Sequence, residues 1–186
     1  KVKFYPIAAL TKKTLGENMT EIGSLIDAGA VGFSDAYKEI KNTKVLKNAF
    51  TYATNFDAQI IQVPISDLDQ GGVMNESEMS MRLGLPGMIS IAETIALERE
   101  LRIAKHAGAK YHSMCISTKE SLNAIMHYKN LTDSITSGIS INNLILNEND
   151  IGGCRTLFKL RPPLRSEEDR FFLIDNLQSN NIDVLT

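Results

Sequence analysis

The sequence predicts an α/β fold in which helices cover a parallel sheet. Short apolar runs of strand length alternate with amphipathic segments of helix length along the 186 residues, and this alternation is typical of parallel strands joined by crossover helices. Neither a G-x-G-x-x-G fingerprint nor a P-loop occurs, which disfavours the nucleotide-binding members of the class. The periodicity alone fits both an open, doubly wound sheet and a closed barrel.

Six runs have the pattern of strands. They are short and mostly apolar, and proline, glycine or polar clusters border them. The predicted strands cover residues 2–7, 30–34, 59–64, 110–116 and 134–141, and a sixth begins at residue 181.

Six longer segments have the pattern of helices. Residues 42–55 place five apolar side chains on one face at helical spacing, and Ser166 precedes three acidic residues in the position of an N-cap. The predicted helices cover residues 20–28, 42–55, 76–83, 89–107, 118–128 and 166–178.

The composition of the chain limits which partners, which compartment and how many domains are expected. The formal net charge is −2, with 20 basic and 22 acidic residues, so neither nucleic acid nor a membrane is expected as a partner. Two cysteines in the whole chain fit a reducing cytoplasm. No repeat or low-complexity linker divides the sequence, so residues 1–186 are predicted to be one domain. The sequence starts and stops inside predicted strands, which suggests a fragment with exposed strand edges that favour association into oligomers.

Five stretches occur in a fixed order along the chain. They are residues 5–12 followed by 29–35, residues 72–76, residues 92–94 with 98–99, residues 112–118 with 120–121, and residues 161–170 followed by 182–184. Together they resemble the dihydroorotases, the cyclic amidohydrolases of pyrimidine synthesis. Hydantoinases and allantoinases share parts of the pattern, but Pro-Pro-Leu-Arg at residues 162–165, with Asp169 and Arg170, favours dihydroorotase.

The resemblance implies a (β/α)₈ barrel of the amidohydrolase type, present only in part, from about the third strand to the eighth. It also implies zinc, which in such enzymes activates water and polarises the ring carbonyl at the carboxyl ends of the strands. Interconversion of carbamoyl aspartate and dihydroorotate is the implied reaction.

Three positions correspond to metal ligands of the family. Asp35 matches a metal-binding carboxylate after the second predicted strand, although loop capping explains it equally well. The third predicted strand should lead to a histidine, but Val63 stands there and has no donor atom. Cys115 replaces the second histidine of a His-x-x-His pattern, and it is expected either to ligate zinc or, more simply, to pack as a small buried residue.

Two substrate-side positions also depart from the family pattern. Asn143 stands in a segment that usually reads Pro-His-His-Leu, and Arg161 replaces the asparagine that precedes Pro-Pro-Leu-Arg. Both are candidate substrate-binding residues. His112, His106 and His127, the three histidines of the chain, are expected to be structural or surface residues.

Two functions fit this pattern of retained framework and altered ligands. The first is a non-catalytic, dihydroorotase-like subunit that binds and supports aspartate carbamoyltransferase. The second is an active zinc-dependent dihydroorotase with an altered or mononuclear site. Because the framework motifs are kept while the ligand positions are changed, the sequence favours the first function over the second.

Overall fold

Strands and helices alternate along the chain in the computed structural model, which describes residues 2–69, 71–179 and 181–186. The strands are β1 (Ile7–Ala8), β2 (Gly32–Phe33), β3 (Gln59–Gln62), β4 (Met74–Asn75), β5 (Gly87–Met88), β6 (Lys110–Ser113), β7 (Ile135–Ile139) and β8 (Val184–Leu185). The helices are α1 (Ile22–Asp27), α2 (Thr43–Thr54), α3 (Glu78–Leu83), α4 (Ser90–Ala107), α5 (Lys119–Lys129), α6 (Asn142–Ile145) and α7 (Glu167–Leu177).

Six of these strands form one parallel sheet in the order β1-β2-β3-β6-β7-β8. The order follows the chain without reversal, whereas a doubly wound sheet reverses its strand order at a switch point. The sheet is therefore an arc of a singly wound barrel wall. Strands β4 and β5 pair with each other in a separate parallel arm between β3 and α4.

The hydrophobic core lies between the sheet and the helices on its outer face. Phe50 of α2 packs on Tyr111 of β6 with ring centroids 5.8 Å apart, and Leu97 and Leu101 of α4 are fully buried beside them. Burial of each such side chain contributes about 1.5–3 kcal/mol. A smaller cluster around Met74 holds the β4–β5 arm against the segment that follows α6.

Side-chain caps fix the starts of three helices. The Asn42 carboxamide oxygen accepts hydrogen bonds from the backbone N–H groups of Lys44 and Val45 at the start of α2. Thr118 caps α5 and Ser166 caps α7 in the same way. Each cap contributes about 1 kcal/mol, so these helices begin where the sequence predicts.

The structure also departs from the predicted elements. Residues 2–7 were expected to form a strand, but only Ile7 and Ala8 lie opposite a partner, in β2, and Val2 is almost fully exposed. A strand requires a neighbour, and the edge of this sheet offers one for two residues only. Helix α6 and the short arm strands β4 and β5 were not predicted, because none is long enough to show a hydrophobic period.

No helix within the described ranges is long and apolar enough to cross a bilayer.

Candidate functional site

The carboxyl ends of the parallel strands carry the candidate residues, as is usual for barrel enzymes. Asp35 follows β2, Val63 follows β3 and Cys115 follows β6. Asn143 lies in α6, after β7, and Arg161 lies in the loop before α7.

Three of these residues line one small space. Val63, Cys115 and Arg161 face each other across a gap of about 10 Å³, which is about the smallest volume that admits a water molecule. We call this gap the strand-end space. Its remaining walls come from Pro64, Ile65, Asp69, Met88, Glu93, Pro162, Pro163 and Arg165.

Asp35 lies outside that lining and is occupied by its own neighbours. It is 1% exposed, and both carboxylate oxygens accept hydrogen bonds from Thr11, one from the backbone N–H at 2.9 Å and one from the hydroxyl. Its own N–H lies 3.4 Å from the side-chain oxygen of Gln62. These contacts tie the end of β2 to the loop after β1 and give Asp35 a structural role.

Cys115 is buried in a left-handed backbone conformation, with φ of 54°. Its sulfur lies 3.8 Å from the hydroxyl of Thr186. Strand β6 ends at Ser113, so Cys115 lies beyond the strand, whereas His112 lies within it. His112 is half-buried, and its Nδ1 lies 2.8 Å from the hydroxyl of Thr136.

The donors at the strand ends do not fit a binuclear metal centre. No group of three or more His, Cys, Asp or Glu side chains that could hold a metal occurs within residues 2–69, 71–179 and 181–186. The Val63 side chain has no atom that can bind a metal. Both carboxylate oxygens of Asp35 accept hydrogen bonds from Thr11. Zinc of the kind that the family resemblance implies is therefore not supported by the described residues.

Asn143 is separate from the strand-end space and is 3% exposed. Its side-chain amide donates a hydrogen bond of 2.9 Å to the carbonyl of Pro163. Asn143 thus holds the Pro-Pro-Leu-Arg loop in place, and it is not among the residues that line the strand-end space with Arg161.

A buried ion pair beside the space organises the loop that carries Arg161. Arg165 is 3% exposed, and its guanidinium lies 3.5 Å from the carboxylate of Glu93. Arg165 also donates to the Ser117 hydroxyl at 3.0 Å and to the Asn75 side-chain oxygen at 3.0 Å. Glu93 in turn accepts hydrogen bonds from the backbone N–H groups of Ser117 and Thr118. We call these five residues the Glu93–Arg165 cluster.

The cluster joins four of the sequence stretches on which the family resemblance rests. Asn75 comes from the second stretch, Glu93 from the third, Ser117 from the fourth and Arg165 from the fifth. The paired charges and hydrogen bonds satisfy groups that would be costly to bury alone. The stretches therefore specify the framework of this site, and the framework is complete within the described residues.

Sequence reasoning missed two residues, namely Asp69, which lines the strand-end space, and Tyr37, whose pKa is affected by Cys115 and Arg161 of that space. Asp69 is buried, and one of its carboxylate oxygens has no hydrogen-bond partner among the described residues. Burial raises the pKa of Asp69, while the nearby charges of Arg165 and Arg161 act to lower it. Burial likewise raises the pKa of Tyr37, with Cys115 acting in the same direction and Arg161 against it. A lone acid and a tyrosine in loops carry no motif that could have marked them.

Arg161 thus supplies positive charge at the strand ends. Its charge acts on both Asp69 and Tyr37, and the residue lies at the exposed mouth of the space. A guanidinium donates hydrogen bonds but accepts none and cannot activate water as a Lewis acid. The arrangement can bind an anion or pair with a carboxylate.

Comparisons with known proteins agree with the framework. The dihydro-orotase-like family model matches residues 1–121. The chain is 31% identical to the dihydroorotase of Staphylococcus aureus strain Mu50 over 185 residues, covering 99% of this chain and 44% of that protein. It is 35% identical to the dihydroorotase of Bacillus pumilus, covering 99% of this chain and 43% of that protein. The chain thus spans less than half the length of these relatives.

Solved structures share the fold at lower identity. The L-hydantoinase of Arthrobacter aurescens superposes with a TM-score of 0.75 at 20% identity, over 97% of this chain and 47% of that one. The dihydroorotase of Campylobacter jejuni superposes with a TM-score of 0.65 at 14% identity, over 89% of this chain and 46% of that one. The predicted barrel of the amidohydrolase type, present in part, is confirmed, and so is the resemblance drawn from the five sequence stretches. The chain belongs to the dihydroorotase-like family.

Proposed function

We propose that the protein acts in pyrimidine biosynthesis as a non-catalytic, dihydroorotase-like subunit that binds and supports aspartate carbamoyltransferase. The proposal rests on the contrast between an intact Glu93–Arg165 cluster and a strand-end space at which the described residues form no group of three or more metal donors. Its expected location is the cytoplasm, where free cysteines such as Cys115 and Cys154 stay reduced.

The single observation that carries the proposal is the content of the strand-end space. Val63 and Cys115, at two family ligand positions, close on a gap of about 10 Å³ together with Arg161. A zinc ion with its water needs several donor atoms around it, and the three family positions at this space, Val63, Cys115 and Arg161, offer an isopropyl group, one thiol and a cation. A site of this kind favours binding over hydrolysis.

The first test is metal content and turnover of the full-length protein, purified with zinc supplied. We expect less than stoichiometric zinc and no hydrolysis of dihydroorotate. Tightly held zinc together with turnover would overturn the non-catalytic role.

The second test addresses the partner. Full-length protein and the carbamoyltransferase of the same organism are mixed, and complex formation is measured by light scattering after gel filtration. We expect a larger assembly of fixed stoichiometry and a change in transferase activity or stability. Two proteins that elute independently at micromolar concentrations would contradict the supporting role.

An active zinc-dependent dihydroorotase is the second candidate, and one observation favours it. The Cys115 thiol and the Asp69 carboxylate line the same space, and one Asp69 oxygen has no partner among the described residues. Both groups are zinc donors. In this alternative the protein hydrolyses the cyclic amide of dihydroorotate with one water, breaking the ring C–N bond to give carbamoyl aspartate.

Substitution separates the two candidates. Cys115→Ser and Asp69→Asn remove the two donors in similar volume. If the protein is a dihydroorotase, each change should lower zinc content and turnover together. If it acts by binding, transferase association should survive both changes.

A further inference from the structure

A second cavity lies away from the strand ends, between the β4–β5 arm and the segment that follows α6. Its volume is about 220 Å³, below the range of about 300–1,000 Å³ that is usual for small-molecule sites. The walls are mainly apolar, and the lining residues are Val73, Met74, Leu85, Ile151, Cys154, Arg155, Thr156, Phe158 and Lys159. A cavity of this size and polarity fits one or two apolar side chains of another protein better than a cofactor.

An apolar side chain projects from the rim of this cavity. Leu157 is 89% exposed in the short 3₁₀ helix Thr156–Phe158, between Arg155 and Lys159. The Arg155 guanidinium lies over the ring of Phe158 at 5.5 Å from the centroid. Leu157 thus stands between two residues of the cavity wall, Thr156 and Phe158, and exposed apolar surface with a polar rim is typical of protein interaction sites.

The charge of this segment is opposite to that of the whole chain. The chain has a net charge of −2, yet residues 152–166 contain four basic side chains and no acidic one. Arg165 is buried against Glu93, so three cations remain at the surface, namely Arg155, Lys159 and Arg161. No ion pair involving these three occurs in the described part of the chain.

The acidic residues that flank the segment are already engaged. The Asp150 carboxylate accepts a hydrogen bond of 2.8 Å from the backbone N–H of Asn147. Glu167 forms an ion pair of 2.6 Å with Arg170, which holds the pKa of that carboxyl at about 2. The three surface cations therefore present net positive charge to an approaching molecule.

We propose that Arg155, Leu157 and Lys159, with the apolar cavity beside them, form the docking surface for the partner protein. We call this surface the basic face. It rests on the binding function proposed above and adds where the partner binds and what chemistry it presents. The partner offers an acidic surface with a projecting apolar side chain, which enters the cavity while Leu157 packs against the partner.

The division of labour follows from the physics of interfaces. Opposite charges at the rim accelerate encounter and fix orientation, and their effect falls with salt. The apolar centre supplies most of the affinity, because a few buried anchors dominate the binding energy. The basic face therefore predicts salt-dependent association and a large effect of Leu157.

The test uses the full-length protein and the carbamoyltransferase, with affinity measured by titration calorimetry. We expect Leu157→Ser and the double variant Arg155→Glu/Lys159→Glu each to weaken binding by at least about tenfold, or about 1.4 kcal/mol. The control is Lys44→Glu/Lys47→Glu, the same charge change on exposed lysines of α2. It should leave affinity within about twofold. Unfolding curves confirm that each variant is folded.

Thiol labelling gives an independent readout. Cys154 lines the cavity and is exposed, whereas Cys115 is buried. Maleimide should modify Cys154 in the free protein and react more slowly with it in the complex. Because Cys115 lies at the strand-end space, its reactivity reports on that site and not on docking.

Each outcome decides one proposal. Binding that is lost in the face variants and kept in the control supports the basic face. Binding that all variants retain, with Cys154 labelled at the same rate in the complex, overturns the basic face and leaves the supporting function standing. If the unaltered protein does not bind the transferase at all, the supporting function fails and the basic face fails with it.

Discussion

The Glu93–Arg165 cluster and the strand-end space share a wall but differ in how completely their polar groups are satisfied. In the cluster, the Arg165 guanidinium pairs with the Glu93 carboxylate and donates to the Ser117 hydroxyl and the Asn75 side-chain oxygen, while the Ser117 N–H donates to Glu93. In the space, Val63 faces Cys115, and Asp69 has a carboxylate oxygen without a partner among the described residues. The polar groups of the cluster are thus satisfied, whereas those of the space are only partly satisfied by the described residues.

The contrast between the cluster and the strand-end space indicates which residues of the site are needed for folding. Removing one partner of a buried ion pair leaves an uncompensated charge, which is strongly destabilising. Replacing a metal-binding histidine by valine or cysteine leaves only a small apolar surface at the end of a strand. Substitutions at the family ligand positions should therefore be compatible with folding, whereas removal of Arg165 should not be.

The largest expected effect comes from breaking the cluster. Arg165→Met keeps most of the side-chain volume but leaves the buried Glu93 carboxylate without its cation. The free energy of unfolding should therefore fall by about 3–5 kcal/mol. Urea unfolding of the full-length protein at neutral pH measures the loss. A loss below about 1 kcal/mol would show that the cluster is no more essential than the space. The double variant Glu93→Gln/Arg165→Met should recover part of the stability, because no unpaired charge remains.

A second prediction concerns Asp35, whose position resembles a metal ligand. Asp35→Asn replaces two charge-assisted hydrogen bonds from Thr11 by weaker ones and should lower the free energy of unfolding by about 1.5–3 kcal/mol. Thr11→Val should lower it too, and the double variant should cost less than the sum, because both changes remove one shared contact. If the two losses of stability were strictly additive and Asp35→Asn changed the zinc content, Asp35 would be assigned to a metal site.

Much of the fold could be predicted because its determinants are local. Helix starts such as Asn42 and Ser166 are set by a single side chain that bonds to nearby backbone N–H groups. Strand lengths were overestimated, because a strand ends where its neighbour ends and this depends on distant residues. Only Gly32 and Phe33 face β1, for example.

The site was predictable in its parts but not in its assembly. Sequence comparison with the family pattern marked Val63, Cys115 and Arg161, and the structure places these three around one space. The sequence comparison could not show that the Asn143 side-chain amide donates a hydrogen bond to the Pro163 carbonyl. Nor could it find Asp69, since the role of a lone acid depends on burial and on the charges that surround it.

A third prediction extends the comparison to another buried carboxylate. Glu100 of α4 accepts a hydrogen bond of 2.7 Å from the Tyr111 hydroxyl, and Arg99 lies 3.7 Å away. Unlike Glu93, it has no backbone donors within the described residues. Burial is the main reason why the pKa of Glu100 rises to about 7.

The raised pKa sets the sign of a pH dependence. The stability that a protonated Glu100 contributes is complete below the ordinary pKa of 4.5 and is lost as the pH rises through about 7. Glu100→Gln should therefore raise the free energy of unfolding by about 1–2 kcal/mol at pH 8 and change it little at pH 4. Urea unfolding at both pH values measures this. If Glu100→Gln were less stable than the unaltered protein at pH 8, the claim that the ionised Glu100 carboxylate destabilises the fold would be contradicted.

The smallest effect is expected at Arg161, four positions before Arg165 in the same loop. Arg161→Asn, which restores the family residue, should change the free energy of unfolding by no more than about 0.5 kcal/mol, because the side chain is exposed. Its electrostatic effect should be visible nevertheless. The Arg161 charge acts to lower the pKa of Tyr37, so the variant should raise that pKa further.

Absorbance titration of tyrosinate, with Tyr37→Phe to assign the signal, measures the shift. An unchanged titration would place the guanidinium away from the strand-end space and remove the positive charge that we assign to it. A loss of stability as large as that of Arg165→Met would erase the distinction between the two regions, because the arginine of the space would then hold the fold as firmly as the arginine of the cluster.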